Sequence, residues 1–377
     1  MPDARLTLAA ARDVVADDLR MIVDGLSAEF AALAGRRLLI TGGAGFLGYY
    51  LVQSAMCWNS SVETERHIDV TVHDNYARGV PTWLLALARA GEVTATSHDV
   101  VQPLPPGTPD FDYVVHAAGI ASPPFYRRYP IETMDANVIG LRNLLDHCRT
   151  QQERGHPARG VLFFSSSEIY GDPPLDAIPT PETYRGNVSC TGPRACYDES
   201  KRYGETLCVN YARQHGVPVA IARPFNNYGP GLKITDRRVI PDFARDVLAG
   251  RDVVILSSGS DTRTFCYVAD AVMGYYKVLT RGRSGEPYNI GVEAPEISIA
   301  ELADRVVECA RSLFDYRGSV VHRVSSERDY LVDNPTRRCP VIEKARTELA
   351  YEPSVSLGEG LERTLAWYSD NREADEE

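Results

Sequence analysis

From residue 36 onward the chain alternates short, nearly continuous apolar runs with longer stretches of helical periodicity, and this rhythm restricts the possible folds more than any other feature. The runs occupy 36–41, 68–74, 92–97, 112–118, 160–166 and 217–224, with one helical pattern reaching Cys57 and another over 130–150. Strands that are apolar on both faces belong to parallel sheets covered by helices, and helical crossovers between parallel strands are right-handed. The expected fold is therefore α/β: a Rossmann-like doubly wound parallel sheet with a smaller, mainly C-terminal α/β substrate-binding lid.

With 377 residues the chain exceeds what one hydrophobic core usually supports. We divide it into an N-terminal helical extension (1–35), a Rossmann domain (36–224, also taking in about 263–283) and a second domain formed by 225–262 and 284–377. After Pro224 the rhythm loosens around a turn cluster from Asn226 to Gly231, followed by helices over 239–250, 267–280 and 298–313 and two more at the end. The opening stretch interleaves Asp and Arg with apolar positions at helical spacing and has no basic leader or long apolar run. It reads as an amphipathic helix packed on the body or on a partner subunit, not as a signal peptide or membrane anchor.

A formal net charge of −11 repels phosphate backbones and disfavours nucleic-acid partners. A local arginine cluster can still hold a small anion. The eight cysteines are scattered without a CxxC pair, which argues for reduced thiols in a cytoplasmic protein and against a disulfide frame or zinc site; no metal is expected.

Directly after the first strand stands Thr41-Gly42-Gly43-Ala44-Gly45-Phe46-Leu47-Gly48, a GxxGxxG spacing that opens a helix. Glycine is needed where the turn is tight, where backbone approaches a pyrophosphate and where helix packs on strand; the helix N-terminus then supplies N–H donors. The second strand ends at Asp74, a little further from Gly48 than the usual ~20 residues, with a polar surface insertion between Asn59 and His67 accounting for the excess. An acid there accepts both ribose hydroxyls and repels a 2′-phosphate, so NAD is expected rather than NADP. Arg78 is the dissenting residue unless it is a solvated loop charge. Asp99 either caps the adenine amino group or caps its own turn.

Tyr197 and Lys201 form a YxxxK on a predicted helix, and residues four apart share a helix face. A free phenol with a pKa of ~10 is a poor base, but a nearby ammonium and a nicotinamide ring stabilise the phenolate. Upstream, the strand at 160–166 runs into Ser165-Ser166-Ser167-Glu168-Ile169-Tyr170-Gly171. That places a hydroxyl at a strand's carboxyl end, where open α/β sheets bind ligands.

In these motifs the chain resembles the extended short-chain dehydrogenase/reductase family, and more narrowly the UDP-glucuronate decarboxylases, which make UDP-xylose. The resemblance spans roughly residues 36 to 370 and rests on GGAGFLG, on Ala121-Ser122-Pro123-Pro124 with Tyr126, on SSEIYGDP, on the string Gly192 to Arg202, on ARPFNNYGP, on Gly259 to Arg263, and on YEPSVSLGEGLERT. It implies NAD-dependent oxidation of a UDP-sugar at C4, after which the C6 carboxylate is β to a ketone and leaves as carbon dioxide. The product is UDP-xylose if the ketone is reduced again, or UDP-4-keto-xylose if it escapes. By resemblance Ser167 bonds the C4 hydroxyl, Tyr197 is the base, Lys201 assists it, and Glu168 positions the sugar or handles a proton near C5. Sugar 4,6-dehydratases place Asp-Glu where this chain has Ser167-Glu168, and Ser167 cannot act as that acid.

Arg263 and Arg338 match positions near the diphosphate or sugar, with Arg194 as a further candidate, because a guanidinium fork binds two oxygens together. Asn226 matches an asparagine expected near the diphosphate. Pro124, Tyr126 and Val239 complete the substrate-binding set. Phe46, Leu47, Asn75, Val100, Ala117 and Pro224 join Gly42, Gly45, Gly48, Asp74, Asp99, Tyr197 and Lys201 in the cofactor-binding set. Family members pair through the two helices flanking the site, so a homodimer is implied.

Three segments depart from the family pattern. Glu132 and Asp135 replace lysines, Leu256-Ser257 replaces a Tyr-Gly, and Cys339 replaces a basic residue. A 4-epimerase or 4,6-dehydratase acting on another nucleotide sugar is the competing enzymatic reading. A non-catalytic NAD-binding regulatory module is the competing reading from another class, and it would expect Tyr197 or Lys201 to be missing.

Overall fold

The first strand shows how the sheet acquires two covered faces: Leu38 and Ile40 enter one apolar cluster and Leu39 the other, because successive strand side chains point to opposite sides. The computed structural model describes residues 11–325 and 332–371. It begins with helices α1 (Ala11–Gly25) and α2 (Ser27–Leu33), then β1 (Arg37–Thr41), α3 (Phe46–Ser60), β2 (Asp69–Asp74), α4 (Thr82–Ala90), β3 (Thr94–Ser97) and β4 (Tyr113–His116). Next come α5 (Pro123–Arg128), α6 (Pro130–Asp135), a π turn at Ala136–Gly140, α7 (Leu141–Glu153), β5 (Gly160–Phe164), α8 (Ala195–His215) and β6 (Val219–Pro224). The remainder holds β7 (Asn227–Tyr228), α9 (Val239–Leu248), β8 (Val253–Ile255), β9 (Thr262–Arg263), β10 (Cys266–Tyr267), α10 (Val268–Arg281) and β11 (Pro287–Ile290). It ends with β12 (Ile297–Ser298), α11 (Ile299–Leu313), β13 (Val320–His322), β14 (Arg337–Arg338), α12 (Glu343–Leu349) and α13 (Leu357–Asp370).

The central sheet runs β3-β2-β1-β4-β5-β6-β11 with every neighbouring pair parallel. Strand order therefore reverses between β1 and β4, which opens a crevice at the carboxyl ends of those strands. On one face Val52 and Ala55 of α3 pack with Val272 and Tyr276 of α10. On the other, Leu144 and Leu145 of α7 pack with Cys208 and Tyr211 of α8. The doubly wound fold expected from the sequence is thus present.

One boundary moves. The strand at Pro287–Ile290, placed with the second domain by sequence, pairs in parallel with β6 as the seventh strand of the central sheet. The main-chain ladder to β6 outweighs the loop-rich composition around it.

The N-terminal helices pack on the chain's own body, α1 lying against α3, α10 and α13; residues 1–10 of the expected extension lie outside the described residues. The buried Asp18 accepts hydrogen bonds from the Tyr50 and Tyr267 hydroxyls, both at 2.7 Å, and from Arg363 at 2.7 Å. Burial raises its pKa while these donors pull it back. A carboxylate so deep is retained because every nearby donor points at it.

A three-stranded ribbon, β12-β9-β14, stands beside the crevice. In its parallel pair Arg338 lies opposite Arg263 and Arg337 opposite Thr262. Alternation sends Arg263 and Arg338 to one face and Thr262 and Arg337 to the other, where Arg337 meets Glu296 at 2.7 Å.

Candidate active site

The turn after β1 is built for a ligand's backbone approach. Gly42 has φ +73° and a Cβ there would sit 2.5 Å from the Ala118 nitrogen; one on Gly48 would sit 2.6 Å from the Gly42 oxygen. Gly45, the N-cap of α3, supplies no capping side chain, which leaves the first N–H groups of Phe46, Leu47 and Gly48 available to an anion. At the end of β2 the Asp74 carboxylate accepts the Ala44 amide at 3.0 Å and the Tyr76 amide at 2.8 Å. Each oxygen keeps a lone pair for a further donor.

Arg78 is committed elsewhere. Its guanidinium meets buried Asp236 at 3.0 Å and lies 4.8 Å from the centre of the Phe125 ring. Arg78 is thus held by Asp236 and not turned to the ribose, and the cradle with Asp74 fits NAD. Asp99 accepts the Val101 amide at 3.1 Å and caps its own turn; exposed Asn75 does the same for Ala77. Val100 is buried, while Ala117 and Pro224 lie at the ends of β4 and β6.

Helix α8 carries Tyr197 and Lys201 on one face, both buried. The Lys201 Nζ donates to the Phe164 carbonyl at 2.7 Å and lies 5.7 Å from the centre of the Tyr197 ring. Burial pulls this ammonium down to about 7. Burial also pushes the Tyr197 phenol up to about 12, against a hydrogen bond from Ser166 that lowers it. Ser166, one residue before the Ser167 expected from the sequence, is therefore a second candidate for the hydroxyl that serves the phenol. Ser166 is extended (φ −163°, ψ 153°) and its Oγ also accepts the Glu168 amide.

Tyr126 stacks on Tyr197 with ring centres 5.2 Å apart and planes 14° from parallel. Its buried hydroxyl has no partner, and an unpaired buried hydroxyl is costly unless a ligand completes it. Asn137, in the π turn, donates to Ser200 on α8 at 2.9 Å while its Oδ1 has no partner. Such turns recur at functional sites. Nothing in the residue pattern around Asn137 announced it.

Glu168 is gripped by two arginines, Arg338 through both terminal nitrogens and Arg194 through one. Despite burial, these two guanidiniums hold its carboxyl well below the usual range. Both arginines had been expected on the substrate; in this structure they are turned to Glu168 instead. Asp198, also buried, lies 3.8 Å from the Arg194 Nε, and burial with the Glu168 charge raises its pKa. Arg263 donates to the carbonyls of Thr262, Thr336 and Pro335, and burial beside Arg338 lowers it to about 10.

Asn226 adopts φ +41° and donates to the Thr264 carbonyl at 2.8 Å. Val239 opens α9, half-buried, and Pro124 lies half-buried in α5. Of the departures, Glu132 is exposed on α6, so it sits on a solvent face; Cys339 is buried, with its thiol against the Glu293 carbonyl.

The sequence model of the NAD dependent epimerase/dehydratase family matches residues 38–291. The chain belongs to that family. Among curated relatives it is 39% identical over 325 residues to UDP-glucuronic acid decarboxylase 3 of Arabidopsis thaliana, covering 86% of each chain. It is 37% identical over 337 residues to UDP-glucuronic acid decarboxylase 1 of Xenopus tropicalis, covering 88% of this chain and 72% of that one. Among solved structures, a dTDP-glucose 4,6-dehydratase double mutant of Streptomyces venezuelae with NAD bound superposes with a TM-score of 0.75 at 25% identity, covering 89% and 98%. An epimerase of Methanothermobacter thermautotrophicus superposes with 0.74 at 27%, covering 94% and 97%. Family membership agrees with the strand order, the glycine cradle and the Tyr197–Lys201 pair.

Proposed function

We propose that this chain catalyses the NAD-dependent decarboxylation of UDP-glucuronate through a 4-keto intermediate, giving UDP-xylose and/or UDP-4-keto-xylose. The observation that carries this is the run of eight relatives named UDP-glucuronic acid decarboxylase, 36–39% identical over 86–89% of the chain. The dinucleotide is held by the 42–48 turn, the α3 N-terminus and Asp74. When bound it supplies a hydride acceptor at the sugar's C4.

Tyr197 takes the C4 hydroxyl proton. Ser166 orients the phenol, and Lys201, fixed by the Phe164 carbonyl, favours its ionised form. Tyr126 holds the phenol ring by stacking and offers its unpaired hydroxyl to the sugar. Arg338 and Arg194 bring the cationic forks that suit the substrate's carboxylate, with Glu168 between them for the proton at C5; Ser167 stays with the sugar end of this group. Arg263, Asn226 and Val239 line the approach for the nucleotide diphosphate.

Incubation with UDP-glucuronate and NAD, followed by product mass, tests the assignment. Loss of carbon dioxide is expected; an unchanged mass indicates an epimerase, and loss of water a dehydratase.

We also infer a homodimer built on α6, the π turn that follows it and α8, where Ile131, Met134, Ile139 and Tyr203 are exposed at 59%, 37%, 41% and 50%. Light scattering on the purified protein tests it. A cytoplasmic setting is supported by eight cysteines that are all free. Among the described residues no helix is long and apolar enough to cross a membrane, and no group of three or more His, Cys, Asp or Glu residues is placed to hold a metal ion.

A further inference from the structure

Glu168, Arg194, Asp198 and Arg338 are buried together, their side chains 18%, 8%, 5% and 9% exposed. Both arginines reach Glu168, and Arg194 spans from Glu168 to Asp198. When both acids are ionised, the two carboxylates and two guanidiniums sum to zero charge, the balance that a dry site favours. Charged neighbours stand close to it: Arg263 is within electrostatic reach of Arg338 and Glu168, and Arg238 is within reach of Tyr197. Arg263 has its own counter-ion in Asp261 at 4.0 Å and otherwise faces backbone carbonyls. Asp333 is exposed, though its charge is felt by Asp198. The hydroxyls of Tyr126 and Tyr197 complete the enclosure as neutral groups, each within electrostatic reach of Asp198.

The balance is imperfect at one place. The Oδ1 of Asp198 and the Nε of Arg194 are both buried without a hydrogen-bond partner. A carboxylate with an unmet oxygen is the member of the pair less well held as an anion.

Resting on the decarboxylase reading, the substrate brings a third carboxylate to these two guanidiniums. Net turnover also demands a proton. Once C4 is a ketone, its hydride having gone to the acceptor that a bound NAD would supply, the C5–C6 bond breaks, its electron pair passes through C5 into the C4 carbonyl as an enolate, and carbon dioxide leaves. C5 must then be protonated, so one proton is consumed per molecule of carbon dioxide released.

We propose that the Glu168–Asp198 pair takes up this proton when the substrate's carboxylate binds and holds it for delivery to C5. Binding leaves the group one negative charge in excess, and like charges in a desolvated site are relieved by protonating one of them. Asp198 is the acid already raised by burial and by its neighbour, so the proton is stored there. Delivery runs through Glu168 and returns the pair to its doubly ionised state. Asp198 is a positioning residue in this scheme, acting through Glu168 without touching the sugar.

The test is calorimetric binding in buffers of differing ionisation enthalpy at about pH 9, above the value of about 8 to which burial and the Glu168 charge raise Asp198, so that the resting acid is ionised. It uses the NAD-loaded Tyr197→Phe protein, so that ligand binds without turnover. UDP-glucuronate is expected to draw in about one more proton than UDP-glucose, which carries the same diphosphate but no carboxylate. Adding Asp198→Asn brings that excess close to zero. Equal proton uptake for the two sugars overturns the proposal, as does an undiminished excess in the folded Asp198→Asn protein. If that variant does not fold, the comparison of the two sugars decides alone. Carbon dioxide release by the native chain separately reports on the decarboxylase reading, so uptake without release, or release without uptake, shows which of the two has failed.

Discussion

The Nζ of Lys201 lies 2.7 Å from the carbonyl oxygen of Phe164, the last residue of β5. The strand that delivers the serines thus also anchors the lysine of the neighbouring helix, and the amine and the phenol of Tyr197 are tied to one edge of the sheet.

That anchoring is made in a buried place, and the folded Lys201 titrates at about 7 against ~10.4 for a free lysine. Between those values the unfolded chain holds a proton the folded chain lacks, so this residue's contribution to stability rises with pH across the window and is least favourable below it. Lys201→Met is expected to raise the unfolding temperature near pH 6 by more than near pH 10, while turnover falls by about 100-fold or more. Scanning calorimetry of the cofactor-free protein checks this; a gain that grows with pH contradicts it.

Ser166 and Ser167 are separable by rate. Removing a hydrogen bond to a charged group costs roughly 1.5–3 kcal/mol, or about 10- to 100-fold. Ser166→Ala should slow the appearance of reduced nicotinamide by that factor, and Ser167→Ala should slow it less. The opposite ranking would return the phenol-facing role to Ser167.

Gly42 and Gly91 share φ +73° but not their surroundings: a Cβ on Gly42 strikes the Ala118 backbone, whereas one on Gly91 meets nothing within 4 Å. Alanine in this conformation costs roughly 1–2 kcal/mol. Gly91→Ala should lose about that much stability and keep its cofactor. Gly42→Ala should be purified with its NAD content depleted, measured as nucleotide released on denaturation.

Asp18 serves three donors at once. Asp18→Ala leaves two phenols and Arg363 without their acceptor, and we expect it to lower unfolding free energy by about 3 kcal/mol, measured by urea titration. A loss below about 0.5 kcal/mol, the range of ordinary surface substitutions, would mean that α1 contributes little to the body.

Much of the fold was legible because five strands of the central sheet, β1, β2, β4, β5 and β6, are buried on both faces, so their apolar runs stand out without any knowledge of tertiary structure. β11 was less so: Pro287-Tyr288-Asn289-Ile290 is short and half polar, and only its ladder to β6 makes it part of the sheet. Gly42, Asp74, Tyr197 and Lys201 were legible because their chemistry depends on local spacing. Ser166 was not, since three consecutive serines are chemically alike and only the backbone dihedrals decide which one faces Tyr197. Asp198 and Asn137 were not, because the partners that give them meaning lie on other elements. The arginines were found, but Arg338 reaches Glu168 from a two-residue strand that no periodicity reveals.

That ribbon governs which of two adjacent arginines faces the acid. Slipping β14 by a single position against β9 would exchange Arg337 for Arg338, and because Glu296 waits on the far face as Glu168 does on the near one, either alignment would find an ion pair. Side-chain attraction alone is therefore a poor judge between them. What discriminates is Arg263, whose guanidinium clasps the carbonyls of Pro335 and Thr336 just before the strand begins. A residue expected to greet the substrate thereby also acts as the gauge that sets the neighbouring strand's alignment, and a change there would misplace Arg338 even with Arg338 itself untouched.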